Sequence, residues 1–161
     1  MMPDLFIGDA LVYMPDWWNP VDWIIAHKTW MNNCHIEVYL GNDRTVAARL
    51  SGVAVYNLQK DWKLGGVLMP VAAFDLNRAM SWFFSKANGQ GYDLLGLFGF
   101  YQTHFHGNPR RMFCSELATR FYRAGGFEPF NAECDADRIS PAQFCQTSAF
   151  QFRWRSSKMP V

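Results

Sequence analysis

The sequence is poor in charge. Asp, Glu, Lys and Arg make up 18% of its 161 residues, and 15 basic against 14 acidic residues leave a formal net charge of +1. A dedicated nucleic-acid binder needs a basic surface to neutralise phosphates, and this balance argues against one. The four cysteines, at positions 34, 114, 134 and 145, form no CxxC pair. Neither a disulfide framework nor a zinc ribbon is indicated. No apolar run approaches the ~18 residues that a membrane span needs. The longest block, Leu94 to Tyr101, is broken by Gly96 and Gly99. The N-terminus, MMPDLFIGDALVYMPDWW, has no basic segment ahead of an apolar one, so no secretory signal peptide is expected. There is no lipidation box, internal repeat or low-complexity tract. Together these absences lead to the expectation of a chain that is cytoplasmic as made, with reduced thiols, no cofactor and no metal.

What is present is apolar and aromatic. Hydrophobic residues reach 50% and Phe, Trp and Tyr together 17%. A chain of this length with that composition reads as one domain, 1–161, able to bury a full core. Short strand patterns come first. Gly8 to Tyr13 is an apolar run, and CHIEVYL (Cys34 to Leu40) alternates, with His35, Glu37 and Tyr39 on one face. GND signals a hairpin turn, after which Thr45 to Arg49, Val53 to Leu58 and Gly66 to Val71 continue an antiparallel meander. Pro20 opens a helical pattern in VDWIIAHKTW between these first strands. Helical signals dominate the second half. Asp75 reads as an N-cap, Tyr92-Asp93 opens the glycine-notched LLGLFGFYQ, and Phe113 to Ala124 ends at Gly125-Gly126. Ser140-Pro141 is a cap and N1 pair, and FQFRWR (Phe150 to Arg155) alternates as a closing strand. Sheet first and helices after predict an α+β fold.

The segment richest in chemistry is RMFCSELATRFYRAGG. Cys114 falls at the first turn of its helix, with Leu117, Phe121 and Ala124 as the inward stripe. Unpaired backbone N–H groups and the positive end of the helix dipole favour a thiolate there, and Arg110 and Arg111 act in the same direction. A lone cysteine is more often buried and inert. Position and flanking charge favour a nucleophile here. Such a cysteine needs a base distant in sequence and near in space. His35, with Glu37 two residues on and on the same strand face, offers a base and a carboxylate to orient it, in the manner of a Cys–His–acid triad. The competing reading is a polar, half-exposed sheet face. His104 and His106 are rival bases or zinc ligands, with Cys114, Cys134 or Glu116 as partners, in a spacing that matches no zinc signature. A polar loop is the plainer reading of that pair. Glu116 is expected to balance the helix dipole or to meet Arg110 or Arg111. Trp17, Trp18, Trp23 and Trp30 are candidates to line a substrate groove; ordinary core and rim packing is the plainer reading for most of them, with Trp17-Trp18 the pair expected at the surface.

The HxE strand, the YDLLGLFGF stretch and the FCSEL helix, in that order, resemble the circularly permuted papain-like amidases related to NlpC/P60 proteins. The early Gly8-Asp9, the HIEVYLGND hairpin and DRISPAQF add to the likeness, which spans Gly8 to Phe144. The resemblance implies a papain-like core: a small antiparallel barrel packed on a helix that carries the nucleophile. By position Cys114 matches the nucleophile and His35 the base. Many relatives take the third group from the next strand. Here Val46-Ala47-Ala48-Arg49 offers no acid, Asn or His, and Glu37 stands in as the substitute.

The implied activity is cysteine-dependent amide hydrolysis through a thioester, on a peptide or peptidoglycan-like substrate. The alternatives are a thiol acyltransferase on lipid or acyl donors, and a catalytically silent papain-like module, for instance a phage virion component. Without a signal peptide, a cell-wall enzyme would be delivered by a virion or another assembly, which would then be its partner. No membrane span and no nucleic-acid partner are expected.

Overall fold

A computed structural model describes residues 3–15, 18, 35–59, 63–93 and 110–159. The strands are β1 (Ala10–Tyr13), β2 (His35–Gly41), β3 (Arg44–Arg49), β4 (Gly52–Asn57), β5 (Leu64–Pro70), β6 (Gly91–Tyr92), β7 (Arg111–Met112) and β8 (Phe150–Arg155). The α-helices are α1 (Leu76–Trp82), α2 (Cys114–Ala124) and α3 (Pro141–Phe144). The helical patterns at Pro20 and at LLGLFGFYQ fall within 19–34 and 94–109, outside the described residues. The fold is α+β, built on a six-stranded antiparallel sheet of order β4-β3-β2-β1-β5-β8.

The meander expected from sequence holds for β2, β3 and β4 and then breaks. The strand Leu64–Pro70 does not follow β4 in the sheet. It pairs with β1 on one side and β8 on the other. The reason lies in β1. Ala10, Leu11, Val12 and Tyr13 are all buried, so this strand is apolar on both faces and belongs in the middle of a sheet. Both of its edges need partners, and β2 and β5 supply them. The β2–β3 turn carries Asn42 and Asp43 at φ 50° and 54°, the left-handed pair of a tight hairpin.

Helix α2 packs on β2 and β3, and α1 packs on α2. Ile36, Val38, Val46 and Ala48 meet Leu117 and Phe121 of α2 in the main core. The opposite sheet face gathers Leu11, Leu64 and Val67 with Tyr39 and Trp154. The capping signals are realised. Asp75 accepts from the Arg78 N–H at 3.0 Å, and Ser140 and Gln143 form a capping box. Beyond α1 the chain makes a wider π-type turn over Phe83–Ala87. Trp18 is 96% exposed.

The early Gly8-Asp9 pair joins three parts of the chain. Tyr122 of α2 donates to the Gly8 carbonyl at 2.8 Å. The buried Asp9 carboxylate accepts from the Phe6 N–H at 2.8 Å and from Arg153 Nε of β8 at 3.1 Å. Gly8 has φ +92°, and a Cβ there would lie 2.5 Å from Phe74 Cε1. Phe74 is itself set edge-on against Tyr122, with ring centroids 5.2 Å apart, so it has little room to yield.

Gly8→Ala is therefore expected to cost about 2 kcal/mol or more, combining backbone strain with overpacking. Gly89 has φ +84°, and a methyl group added there would meet nothing within 4 Å, so Gly89→Ala should show only the strain, about 1 kcal/mol. Urea unfolding of both variants measures the difference. Equal losses would mean that the Phe74 contact is without consequence.

Candidate active site

Strand β2 begins at His35, and the two-residue period sets His35 and Glu37 side by side. His35 Nε2 lies 2.9 Å from Glu37 Oε1. Glu37 is only 1% exposed. A carboxylate that far from water needs donors, and β3 provides them. The Thr45 hydroxyl donates to Glu37 Oε2 at 2.8 Å. Arg49 donates through Nε to Oε1 at 2.8 Å and through Nη2 to Oε2 at 3.1 Å. The register explains the meeting. Val38 lies opposite Val46, so Val46 and Ala48 face the core while Thr45 and Arg49 emerge on the Glu37 side.

Cys114 is the first residue of α2, preceded by Phe113 as N-cap. It is 1% exposed and packs within the main core cluster. Its thiol shares a hydrogen bond with the His35 ring. Tyr13 of β1, opposite His35 in the ladder, flanks the ring with centroids 5.8 Å apart. The residues singled out from sequence as Cys114, His35 and Glu37 are thus adjacent in space. They form a continuous row, thiol to imidazole to carboxylate, and the row continues to the Arg49 guanidinium.

The charges in this row support one another. Burial pushes the His35 ring toward its neutral form. The hydrogen bonds and negative charges of Cys114 and Glu37 outweigh it, and raise the ring from its ordinary 6.5 to about 10. The ring keeps 21% side-chain exposure, so it is close to water without being immersed in it. Burial likewise pushes Glu37 up, but the bonds and charges of His35 and Arg49 bring it from 4.5 down to about 2. A row of this kind can hold a proton on the imidazole and hand it on.

The other candidates go elsewhere. Ser115 donates to the Ile139 carbonyl at 2.5 Å, an anchor between α2 and the segment before α3. Glu116 does not reach back to Arg110 or Arg111. It accepts from Arg120 Nε at 2.9 Å, because a helix brings residues four apart to the same side. Burial pushes the Glu116 carboxyl up to about 7, against the pull of Arg120. His104, His106, Cys34, Trp17, Trp23 and Trp30 lie outside the described residues. Among the described residues no group of three or more His, Cys, Asp or Glu is arranged to hold a metal. A cavity of about 450 Å³ beside Arg120, Arg123, Cys134 and Trp82 is lined by neither Cys114 nor His35.

Sequence reasoning missed Thr45, Arg49 and Tyr56. Tyr56 matters because the Arg49 guanidinium carbon lies 4.4 Å from its ring centroid. The missing signal was positional. Once the GND turn is accepted as a hairpin, counting by twos from Thr45 brings Arg49 to the Glu37 face.

The pH dependence of stability follows from the signs of these shifts. Glu37 is lowered, so its contribution is present above its ordinary 4.5 and is lost as pH falls toward 2. His35 is raised, so its contribution is full below 6.5 and is lost as pH rises toward 10. Glu37→Gln should cost on the order of 3 kcal/mol near neutrality, since it strips a buried ion cluster of its centre. The difference from wild type should vanish at low pH. Urea midpoints measured across pH test this, and a constant difference down to acid pH would contradict it. No family model matches the sequence, and no curated protein matches it.

Proposed function

We propose that the protein is a cysteine-dependent amide hydrolase in which Cys114 is the nucleophile, His35 the acid–base group and Glu37 its orienting carboxylate. One observation carries this reading. Cys114, His35 and Glu37, drawn from a helix start and a strand far earlier in the chain, stand in one hydrogen-bonded row. A half-buried imidazole between a thiol and a buried carboxylate is costly to build and is of little use to packing, whereas it is what thiol activation requires. The order of the parts, with the histidine strand before the cysteine helix, is that of the permuted papain-like amidases that the sequence resembles.

The chemistry follows from the row. Cys114 passes its proton to His35 and attacks the carbonyl carbon of an amide. The backbone N–H groups at the start of α2 stabilise the oxyanion that forms. As the C–N bond breaks, the His35 imidazolium gives its proton to the departing nitrogen, and an amine leaves behind a Cys114 thioester. Water then gives a proton to His35 and its oxygen to the carbonyl carbon, releasing a carboxylic acid and restoring the thiol–imidazole pair. Peptide amides, including those of peptidoglycan, are the substrate class.

Iodoacetamide at neutral pH should label Cys114 faster than Cys34, Cys134 and Cys145. Cys145 gives a sharp contrast within the described residues, because burial pushes its thiol up to about 11 against the pull of Arg155. Mass spectrometry of purified peptidoglycan fragments should show amide cleavage by wild type and none by Cys114→Ala. Cleavage by the alanine variant, or labelling of Cys114 no faster than of the others, would remove the nucleophile from the reading.

A further inference from the structure

The row has a fourth member that a nucleophile–base–acid scheme does not require. Arg49 closes β3, and its guanidinium engages both oxygens of Glu37, at 2.8 Å and 3.1 Å. Its Nη2 also donates to the Asn57 carbonyl at 3.3 Å. The guanidinium stacks on Tyr56, 4.4 Å from the ring centroid. Tyr56 is itself held, with its hydroxyl donating to the Gly52 carbonyl at 2.8 Å and lying 2.7 Å from Ser51 Oγ. The end of the arginine is therefore fixed by β2 and β4 together.

The groups that face His35 and Glu37 come from every element packed around them. Cys114 comes from α2, Tyr13 from β1, Thr45 and Arg49 from β3, and Tyr56 stands behind Arg49 from β4. Among these described groups Arg49 alone bears a permanent positive charge. Two effects follow. A two-pronged fork fixes the plane of a carboxylate, which a single hydrogen bond does not. A cation beside Glu37 also offsets part of the negative charge that draws a proton onto His35. A general acid must release its proton to the departing nitrogen, so an imidazole that holds it too tightly is a poor one.

Resting on the reading of Cys114 as nucleophile, we propose that Arg49 is the positioning residue of the site: it sets the plane of the Glu37 carboxylate against His35 and limits how tightly the ring holds its proton.

Ring titration of His35 by NMR in the full chain tests this, with His35→Asn identifying the signal. Cys114→Ser should titrate lower than wild type, because the Cys114 side chain that helps to hold the proton on His35 is gone. Adding Arg49→Gln to Cys114→Ser should raise the midpoint again, by about one pH unit, as expected for loss of a nearby cation in a partly buried site. Arg49→Lys keeps the cation and breaks the fork, and it serves also if Arg49→Gln does not fold. In the Cys114→Ser background it should leave the midpoint near that of Cys114→Ser alone. In the otherwise native chain it should lower kcat on peptidoglycan peptides roughly tenfold at little change in KM, the cost of a loosened carboxylate. A purely structural Arg49 would alter unfolding and leave kcat at its full value in folded Arg49→Lys. If Arg49→Gln does not move the midpoint, or Arg49→Lys keeps full kcat, while Cys114→Ser still titrates below wild type, the role of Arg49 is overturned and the nucleophile reading stands. If Cys114→Ser titrates with wild type, that reading falls and the role of Arg49 falls with it.

Discussion

Glu37 is a carboxylate sealed inside the protein, and the arrangement around it answers to that constraint. Removing such an ion from water costs several kcal/mol, so it persists only where donors replace the lost hydration. The donors are His35, Thr45 and Arg49. Their requirement reaches into the fold. A slip of one residue between β2 and β3 would turn Thr45 and Arg49 to the apolar face and leave the carboxylate bare. The hairpin turn with left-handed Asn42 and Asp43 and the ion cluster thus specify the same register.

The same constraint ties the sheet to its helix. His35 stands at the start of β2, where the strand meets the first turn of α2. The helix is held in place farther along by the Tyr122 hydroxyl on the Gly8 carbonyl and by the packing of Leu117 and Phe121 on the sheet. Anchoring the far end of α2 leaves its first turn directed at the histidine. Side chains carried on a strand and a helix, and not on loops alone, are held more closely in place than side chains on loops.

Much of this was legible in the sequence, for reasons that can be named. An apolar run identified β1, alternation and turn-bounded apolar stretches identified β2 to β5 and β8, helical spacing identified α1 and α2, and caps at Asp75 and Ser140 placed helix starts. The pairing of β5 with β1 was not legible, because alternation within a strand says nothing of its neighbours. The clue was in the composition of ALVY, whose lack of any polar face called for a central position. His35 and Glu37 were legible as a pair through their spacing, and Cys114 through its place before an amphipathic helix. Arg49 was not legible as a site residue, because the strand after the hairpin is expected to offer a group that replaces the acid. What stands there is a group that holds the acid in place, and only the register between β2 and β3 exposes the difference. Glu116 was read as balancing the helix dipole or meeting Arg110 or Arg111; it does lie in the first turn of α2, and its side-chain partner is Arg120, one turn on.

The most direct test of the Cys114–His35–Glu37 row is acylation. An activated peptide ester should acylate Cys114 in wild type, giving an adduct that peptide mapping locates on that residue and hydroxylamine removes as a thioester. His35→Asn should acylate far more slowly, since its thiol has lost its base. Acylation of Cys134 or Cys145 at the rate of Cys114, or of Cys114 at an undiminished rate in His35→Asn, would contradict the row as a catalytic unit.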